Sequence, residues 1–340
     1  MKKFSRRDFL RLLTLSAGTL SLNQILAACG IKPASITPTL VPTHIPLTNT
    51  IPATTLNTAS PATATSTPLP IPDLVVARGG EPEQLARQAL AALGGMQSFV
   101  PKGANVVVKP NICVAYHTYE YAATTNPWLV GALVKMAFEA GAASVQVFDY
   151  PFGGSADEAY ARSGIEEQVK ANGGQMMPMP SFKYVMTDIP QGVNLKKIKA
   201  FQDALQADVL IDVPIAKHHS EAGLTLGMKN LMGLVLDRGA IHVNLGQRIA
   251  DLTTLFRPKL TVVDAIRILT KHGPSGGNLN DVKKLDTLIV SPDIVAADSY
   301  ATTLFGLQPD DIEYITAAAK MGLGNKDLKS LRIREIAVGA

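Results

Sequence analysis

Downstream of residue 72 the chain alternates between two hydrophobic patterns. Short runs dominated by Val, Ile and Leu occur at 105–109, 144–149, 207–213, 260–264 and 285–290. Such lengths, apolar at nearly every position, predict strands buried on both faces. Between them, apolar positions recur at helical spacing over 127–140, 224–236, 245–256, 294–304 and 312–321. Asn126 precedes the first helix as an N-cap, Pro127 opens it, and Gly141 lies just past its end. Ser291-Pro292-Asp293 reads as the start of another helix. Strands interleaved with helices predict an α/β fold, a mostly parallel sheet with helices on both faces. Residues 73–340 are enough for one large domain or for two lobes sharing that sheet.

The first 72 residues follow neither pattern. Lys2, Lys3, Arg6, Arg7 and Arg11 form a basic start, an apolar run follows over 12–26, and Leu26-Ala27-Ala28-Cys29 closes it. Arg6-Arg7, inside Ser5-Arg6-Arg7-Asp8-Phe9-Leu10, resembles the twin-arginine export signal. Leu-Ala-Ala-Cys resembles a lipobox cleaved before a lipid-modified cysteine. The run is broken by Gly18 and by Ser, Thr and Asn, too mild for a membrane span of about 20 apolar residues. The expectation is a signal peptide over 1–28, handled by the twin-arginine translocase. A lipid (palmitate among its chains) on Cys29 would then hold the protein at the extracytoplasmic face of the cell membrane. An amphipathic first helix is the competing reading. Residues 33–72 contain no charged side chain and are rich in Thr and Pro. Repeated Pro blocks helices and sheets, so 29–72 is expected to be an extended tether, with a reach of order 100 Å at roughly 3 Å per residue.

Charge changes meaning once that leader is set aside. The whole chain has 32 basic and 28 acidic residues. Residues 1–28 hold five basic residues and Asp8, so the remainder carries 27 of each and is formally neutral. No basic cluster is left to neutralise several phosphates, which argues against nucleic acid as a partner. The two cysteines are Cys29 and Cys113. They supply no disulfide framework, and too few ligands for an iron–sulfur cluster.

Ligands of open α/β sheets bind beyond the carboxyl ends of the strands, and the reactive side chains of this chain gather there. One strand ends in Lys109-Pro110-Asn111-Ile112-Cys113, another in Asp149, a third runs from Asp212 into Lys217-His218-His219, and a fourth ends in Asp264. Each strand-end Asp alone also reads as a cap. Lys229 and Asn230 interrupt an apolar stretch flanked by Gly227 and Gly233, which suggests a ligand contact or a buried ion pair. The expected site is a pocket for a small, anionic molecule. Lys217, His219, Asp149 and Asp264 are its catalytic candidates. Lys109, Asn111, Lys229, Asn230, Gly273 and Gly276 are its binding candidates; the last two lie in the Gly-rich run 271–278, which also reads as a surface turn. Imidazole near neutral pH suits His219 to proton transfer. His219, His242 and Asp264 are also considered as ligands of a divalent metal. Cys113 reads as a nucleophile or as an inert buried thiol.

These residues occur in an ordered series: Lys109-Pro-Asn111, Thr124-Thr125-Asn126-Pro127, Phe148-Asp149, Pro214-Ile-Ala-Lys217-His-His219, Met228-Lys229-Asn230-Leu-Met-Gly233, Asp264-Ala, His272-Gly273-Pro274-Ser-Gly276 and Ser291-Pro-Asp293 through Asp298. The series resembles the family called domain of unknown function 362, in its exported branch, over about residues 74–335. The resemblance implies an α/β fold and an address for the site, and no reaction. Many relatives append a ferredoxin-like module with cysteine-rich cluster motifs; this chain has none, so a cluster role does not carry over. The function expected is ligand binding, with acid/base chemistry on the ligand as an extension. A solute-binding lipoprotein or a scaffold without chemistry is the alternative.

Overall fold

A computed structural model describes residues 70–339. Arg6, Arg7, Cys29 and most of the Thr/Pro-rich segment lie outside the described residues. No described helix is long and apolar enough to cross a membrane.

The chain begins with β1 (Leu74–Arg78), α1 (Pro82–Ala92), β2 (Asn105–Pro110), α2 (Pro127–Glu139) and β3 (Ser144–Val147). Two short helices, α3 (Ala156–Arg162) and α4 (Ile165–Ala171), lead to β4 (Gln175–Met176). A separate hairpin of β5 (Tyr184–Asp188) and β6 (Lys197–Phe201) precedes α5 (Gln202–Gln206). Then come β7 (Val209–Val213), β8 (Ile215–His219), β9 (Gly223–Thr225), α6 (Gly227–Asn230), α7 (Gly239–His242) and α8 (Leu245–Phe256). The chain ends with β10 (Leu260–Leu269), β11 (Val282–Ser291), α9 (Ile294–Thr302), α10 (Glu313–Lys320) and β12 (Ile333–Ala337).

Ten strands form one mixed, mostly parallel sheet, in the order β12-β1-β11-β10-β7-β2-β3-β4, with β8 beside β10 and β9 beside β8. The antiparallel pairings are β1–β11, β10–β11 and β8–β9. The apolar runs serve two cores because successive side chains of a strand point to opposite faces. In β2, Val106 and Val108 join α1, α2 and α4 on one face, while Val107 joins the other. In β7, Ile211 faces the first core and Leu210 the second, where α8, α9 and α10 pack. Both layers thus share a single sheet within one compact unit, and the two-lobe option is not adopted.

Most predicted elements recur within a few residues. The N-cap of α2 is Asn126, whose side chain accepts from the backbone N–H groups of Trp128 and Leu129. The expected helix over 224–236 is instead β9, then α6, then a 3-10 turn Leu231–Leu234. Asp298 explains where α6 begins: its carboxylate, reaching in from α9, accepts from Gly227 N at 2.7 Å and Met228 N at 2.9 Å.

Topology then creates a crevice. From β2 the chain passes through α2 to β3 on one side; from β7 it passes through α8 to β10 on the other. Neighbours β2 and β7 are parallel, with Lys109 opposite Asp212. Their connections depart in opposite directions and cover opposite faces, which leaves a crevice at their carboxyl ends.

Candidate functional site

A cavity of about 370 Å³ opens at this crevice. Strand β2 delivers Lys109 and then Asn111, the end of β3 delivers Asp149, and β8 delivers Lys217 and His219. Lys229 and Asn230 come from α6.

At its floor the Lys109 ammonium, completely buried, lies 2.8 Å from Asp149 Oδ1. It also donates to Asn230 Oδ1 (2.8 Å) and Pro110 O (2.9 Å). Asp149 is held in turn by Ile112 N–H, 2.5 Å from Oδ2. A buried pair of this kind persists because every charge has close partners. Asn230 Nδ2 donates to Asp212 Oδ1 at 2.8 Å. Asn111 Nδ2 donates to Asn230 Oδ1, and Asn111 Oδ1 accepts from Lys217 Nζ, both at 2.9 Å. Lys217 also donates to Ala123 O at 2.6 Å. One polar chain therefore runs Asp149–Lys109–Asn230–Asn111–Lys217 across the sheet edge. Burial pushes the Asp212 carboxyl well above the usual carboxylate range, against the pull of the Lys109 charge.

Gly233 makes this floor possible. A Cβ there would overlap Asp149 Oδ1 and stand 2.7 Å from Lys109 Nζ. Gly227 has the same role behind it, where a Cβ would lie 2.9 Å from Asp298 Oδ1 and 3.0 Å from Asp212 Oδ2.

The wall differs from the floor in having donors to spare. Lys229 is 9% exposed, and its ammonium has no hydrogen-bond or ion-pair partner among the described residues. Burial, then the Lys217 and Arg238 charges, lowers its pKa to about 8. Thr225 Oγ1 is buried without a partner among the described residues. His219 Nδ1 accepts from Glu221 N (3.1 Å) and Ala222 N (3.2 Å). Burial and then the Lys229 and Lys217 charges drive its pKa to about 3, so the ring is neutral, with its proton on Nε2. The Arg238 guanidinium lies over the Tyr150 ring, 4.8 Å from its centroid. Four cations (Lys109, Lys217, Lys229 and Arg238) line the cavity against the carboxylates of Asp149 and Glu221.

Eight residues anticipated from sequence line this cavity: Lys109, Asn111, Asp149, Lys217, His219, Lys229, Asn230 and His242. Three others do not. Asp264 is buried beneath the site and accepts from Asn126 N (2.6 Å) and Ile266 N (3.0 Å). Burial raises its pKa to about 6 while those two N–H groups oppose the rise. It positions the start of α2, which is its cap reading rather than the catalytic one. Gly273 packs against the His218 carbonyl, where a side chain would collide, and Gly276 lies against Leu269; Pro274 between them reaches the cavity. The set His219, His242 and Asp264 is not brought together, and no group of three or more His, Cys, Asp or Glu suited to a metal ion occurs among the described residues. His242 Nδ1 is paired with Glu221 Oε2 at 2.5 Å. His219, expected to transfer protons, presents an N–H donor instead, because its basic nitrogen is occupied by backbone amides. The Cys113 thiol lies 3.4 Å from Pro274 O, and burial raises its pKa, which favours the inert reading.

Thr225 and Arg238 were not singled out as site residues. Thr225 interrupts the apolar positions Leu224 and Leu226, a signal of the same kind that marked Lys229. Arg238 lies in an ordinary polar loop, and nothing local marks it.

A sequence profile of the family described as "Domain of unknown function (DUF362)" matches residues 106–303, more than half of the chain. The chain belongs to the DUF362 family. Within curated proteins, the thylakoid-associated protein sll1697 of Synechocystis sp. is 28% identical over 246 residues, spanning 70% of this chain and 74% of that protein. Two solved structures are more distant. The lactate racemase apoprotein of Thermoanaerobacterium thermosaccharolyticum aligns with a TM-score of 0.39 and 14% identity, over 63% of this chain and 53% of that one. A Thermotoga maritima protein aligns at 0.41 and 13%, over 67% and 60%. This DUF362 chain thus spans little more than half the length of those two proteins, and likeness at this level carries no inference about chemistry.

Proposed function

We propose that this DUF362 protein is exported folded by the twin-arginine route, is held at the extracytoplasmic face of the cell membrane by lipid on Cys29, and binds a small anion in the cavity beyond β2 and β7. The anchoring rests on the order of motifs in the leader: paired arginines, a mild apolar run, then Leu-Ala-Ala-Cys. Labelled palmitate should enter the wild-type protein and not C29S, and replacing both Arg6 and Arg7 with Lys should leave precursor in the cytoplasm.

One observation carries the binding reading: Lys229 is a nearly buried ammonium with no partner among the described residues, on the wall of a cavity whose cations outnumber its carboxylates. An isolated buried charge is costly, and an anion in the cavity relieves it. Thr225 Oγ1 and His219 Nε2–H add donors, whereas the local carboxylates are already engaged by Lys109 and His242. Calorimetric titration with oxalate, malonate and inorganic phosphate at low salt tests this. A charge-assisted hydrogen bond contributes about 1.5–3 kcal/mol, so K229M should weaken binding by roughly 10- to 100-fold. Absence of binding by all three anions, or equal affinities for wild type and K229M, would refute it.

A further inference from the structure

The cavity holds three lysines in two different states. Lys109 Nζ is saturated by Asp149, Asn230 and Pro110, and Lys217 Nζ is held by Asn111 and Ala123. Lys229 Nζ has no such acceptor among the described residues, and the residue is nearly buried in the cavity lining. An amine reacts through its lone pair, so a lysine whose hydrogens are engaged by acceptors is fixed by them, even where burial lowers its pKa as at Lys217. One desolvated beside other cations and free of acceptors is available to react. The geometry points to Lys229 as an amine nucleophile that forms an imine with the carbonyl carbon of a small anionic aldehyde or ketone held in this cavity. This deepens the anion-binding reading and rests on it.

The surroundings suit both halves of such a substrate. Lys217 and Arg238 supply positive charge for its anionic group, and Thr225 Oγ1 and His219 Nε2–H, without partners among the described residues, are donors for its oxygen. Burial and the neighbouring cations bring the Lys229 pKa to about 8. Roughly one molecule in ten then carries the free amine at pH 7, on the order of 100-fold more than for an exposed lysine. The Lys229 ammonium first releases a proton to solvent. Its lone pair forms the C–N bond while the carbonyl π pair moves to oxygen, which takes a proton from water and gives a carbinolamine. The nitrogen gives up one proton to the hydroxide left in the water, and its lone pair then forms the C=N bond as the C–O bond breaks. The departing hydroxyl takes a second proton from solvent and leaves as water, and the iminium nitrogen returns its last proton to solvent. Amine and carbonyl thus give imine and water, with no oxidant or reductant.

The test uses glyoxylate and sodium cyanoborohydride on the full-length protein at neutral pH, with peptide mass mapping of the carboxymethyl group that reduction leaves on each lysine. Lys229 should be labelled at least about tenfold faster than the exposed Lys102. Oxalate, which lacks a reactive carbonyl, should suppress labelling of Lys229 and not of Lys102. K229R keeps the charge but not the nucleophile and should lose the cavity label; the oxalate competition on wild type needs no variant to fold. If oxalate binds calorimetrically but Lys229 is labelled no faster than Lys102, the imine is overturned and anion binding stands. If oxalate, malonate and phosphate all fail to bind and none of them protects Lys229, both readings fall.

Discussion

Replacing Gly233 with Ala asks how tightly the site floor is built. Gly233 lies in the 3-10 turn Leu231–Leu234, without a positive φ, so local preference alone favours Ala by up to about 1 kcal/mol. The surroundings oppose it. The new methyl would overlap Asp149 Oδ1 and crowd Lys109 Nζ at 2.7 Å. Asp149 has little freedom to retreat, because Ile112 N–H holds Oδ2 at 2.5 Å and Lys109 holds Oδ1 at 2.8 Å. Parting a buried ion pair costs about 3–5 kcal/mol, so the net loss should be about 2–4 kcal/mol. For a domain of this size that corresponds to a melting point lowered by roughly 5–15 °C. Denaturant unfolding of G233A, D149A and the double variant measures it. D149A removes the obstructing oxygen, so G233A should cost no more than about 1 kcal/mol in that background. A loss under about 1 kcal/mol for G233A alone, or the same loss in both backgrounds, would show that the floor yields and that the glycine is not required by the ion pair.

Two further outcomes follow from buried groups. Burial raises the Asp298 pKa to about 7 against two backbone N–H donors that oppose the rise, so its protonated form is favoured in the folded state. That stability is complete below the unfolded value near 3.8 and is lost as pH rises through about 7. The stability difference between wild type and D298N should therefore fall by no more than about 4 kcal/mol from pH 4 to pH 8, as read by urea unfolding; a flat difference would contradict the burial argument. T225V removes a buried hydroxyl with no partner among the described residues, so thermal unfolding should show a change within about 1 kcal/mol of zero or a gain. Oxalate affinity should drop in the same variant, and unchanged affinity would place Thr225 outside the binding set.

Much of the frame can be read in the sequence because its cause is local. Val106-Val107-Val108 and Leu210-Ile211 are apolar on both faces and end up between two cores. Asn126 before Pro127 is a cap signal, and it caps. Less visible were β1 and β12, short strands that become pairs only across the length of the chain, Leu74 opposite Ile333. The expected helix over 224–236 failed for a related reason. Its apolar spacing is helical, but the backbone must leave β9, meet the Asp298 carboxylate at Gly227 and press Gly233 against the Lys109–Asp149 pair. Those demands come from residues far away in sequence.

The candidate chemistry divides in the same way. Residue type and order along the chain determined that Lys, His and Asp cluster at strand ends, that residues after 28 are neutral, and that two cysteines cannot build a cluster. Tertiary structure alone decided what each group can do. Lys109, Lys217 and Lys229 look equivalent in sequence, yet the first two are held by acceptors and Lys229 has none among the described residues, because the partners and the depth of burial of each are set by the fold. Asp149 and Asp264 both read as strand-end carboxylates in the sequence, yet one follows β3 and pairs with a lysine in the cavity, while the other lies within β10 and holds the Asn126 N–H at the start of α2. Sequence spacing carries periodicity and local caps; the electrostatic state of a side chain belongs to its neighbours in space, and only the fold brings those neighbours together.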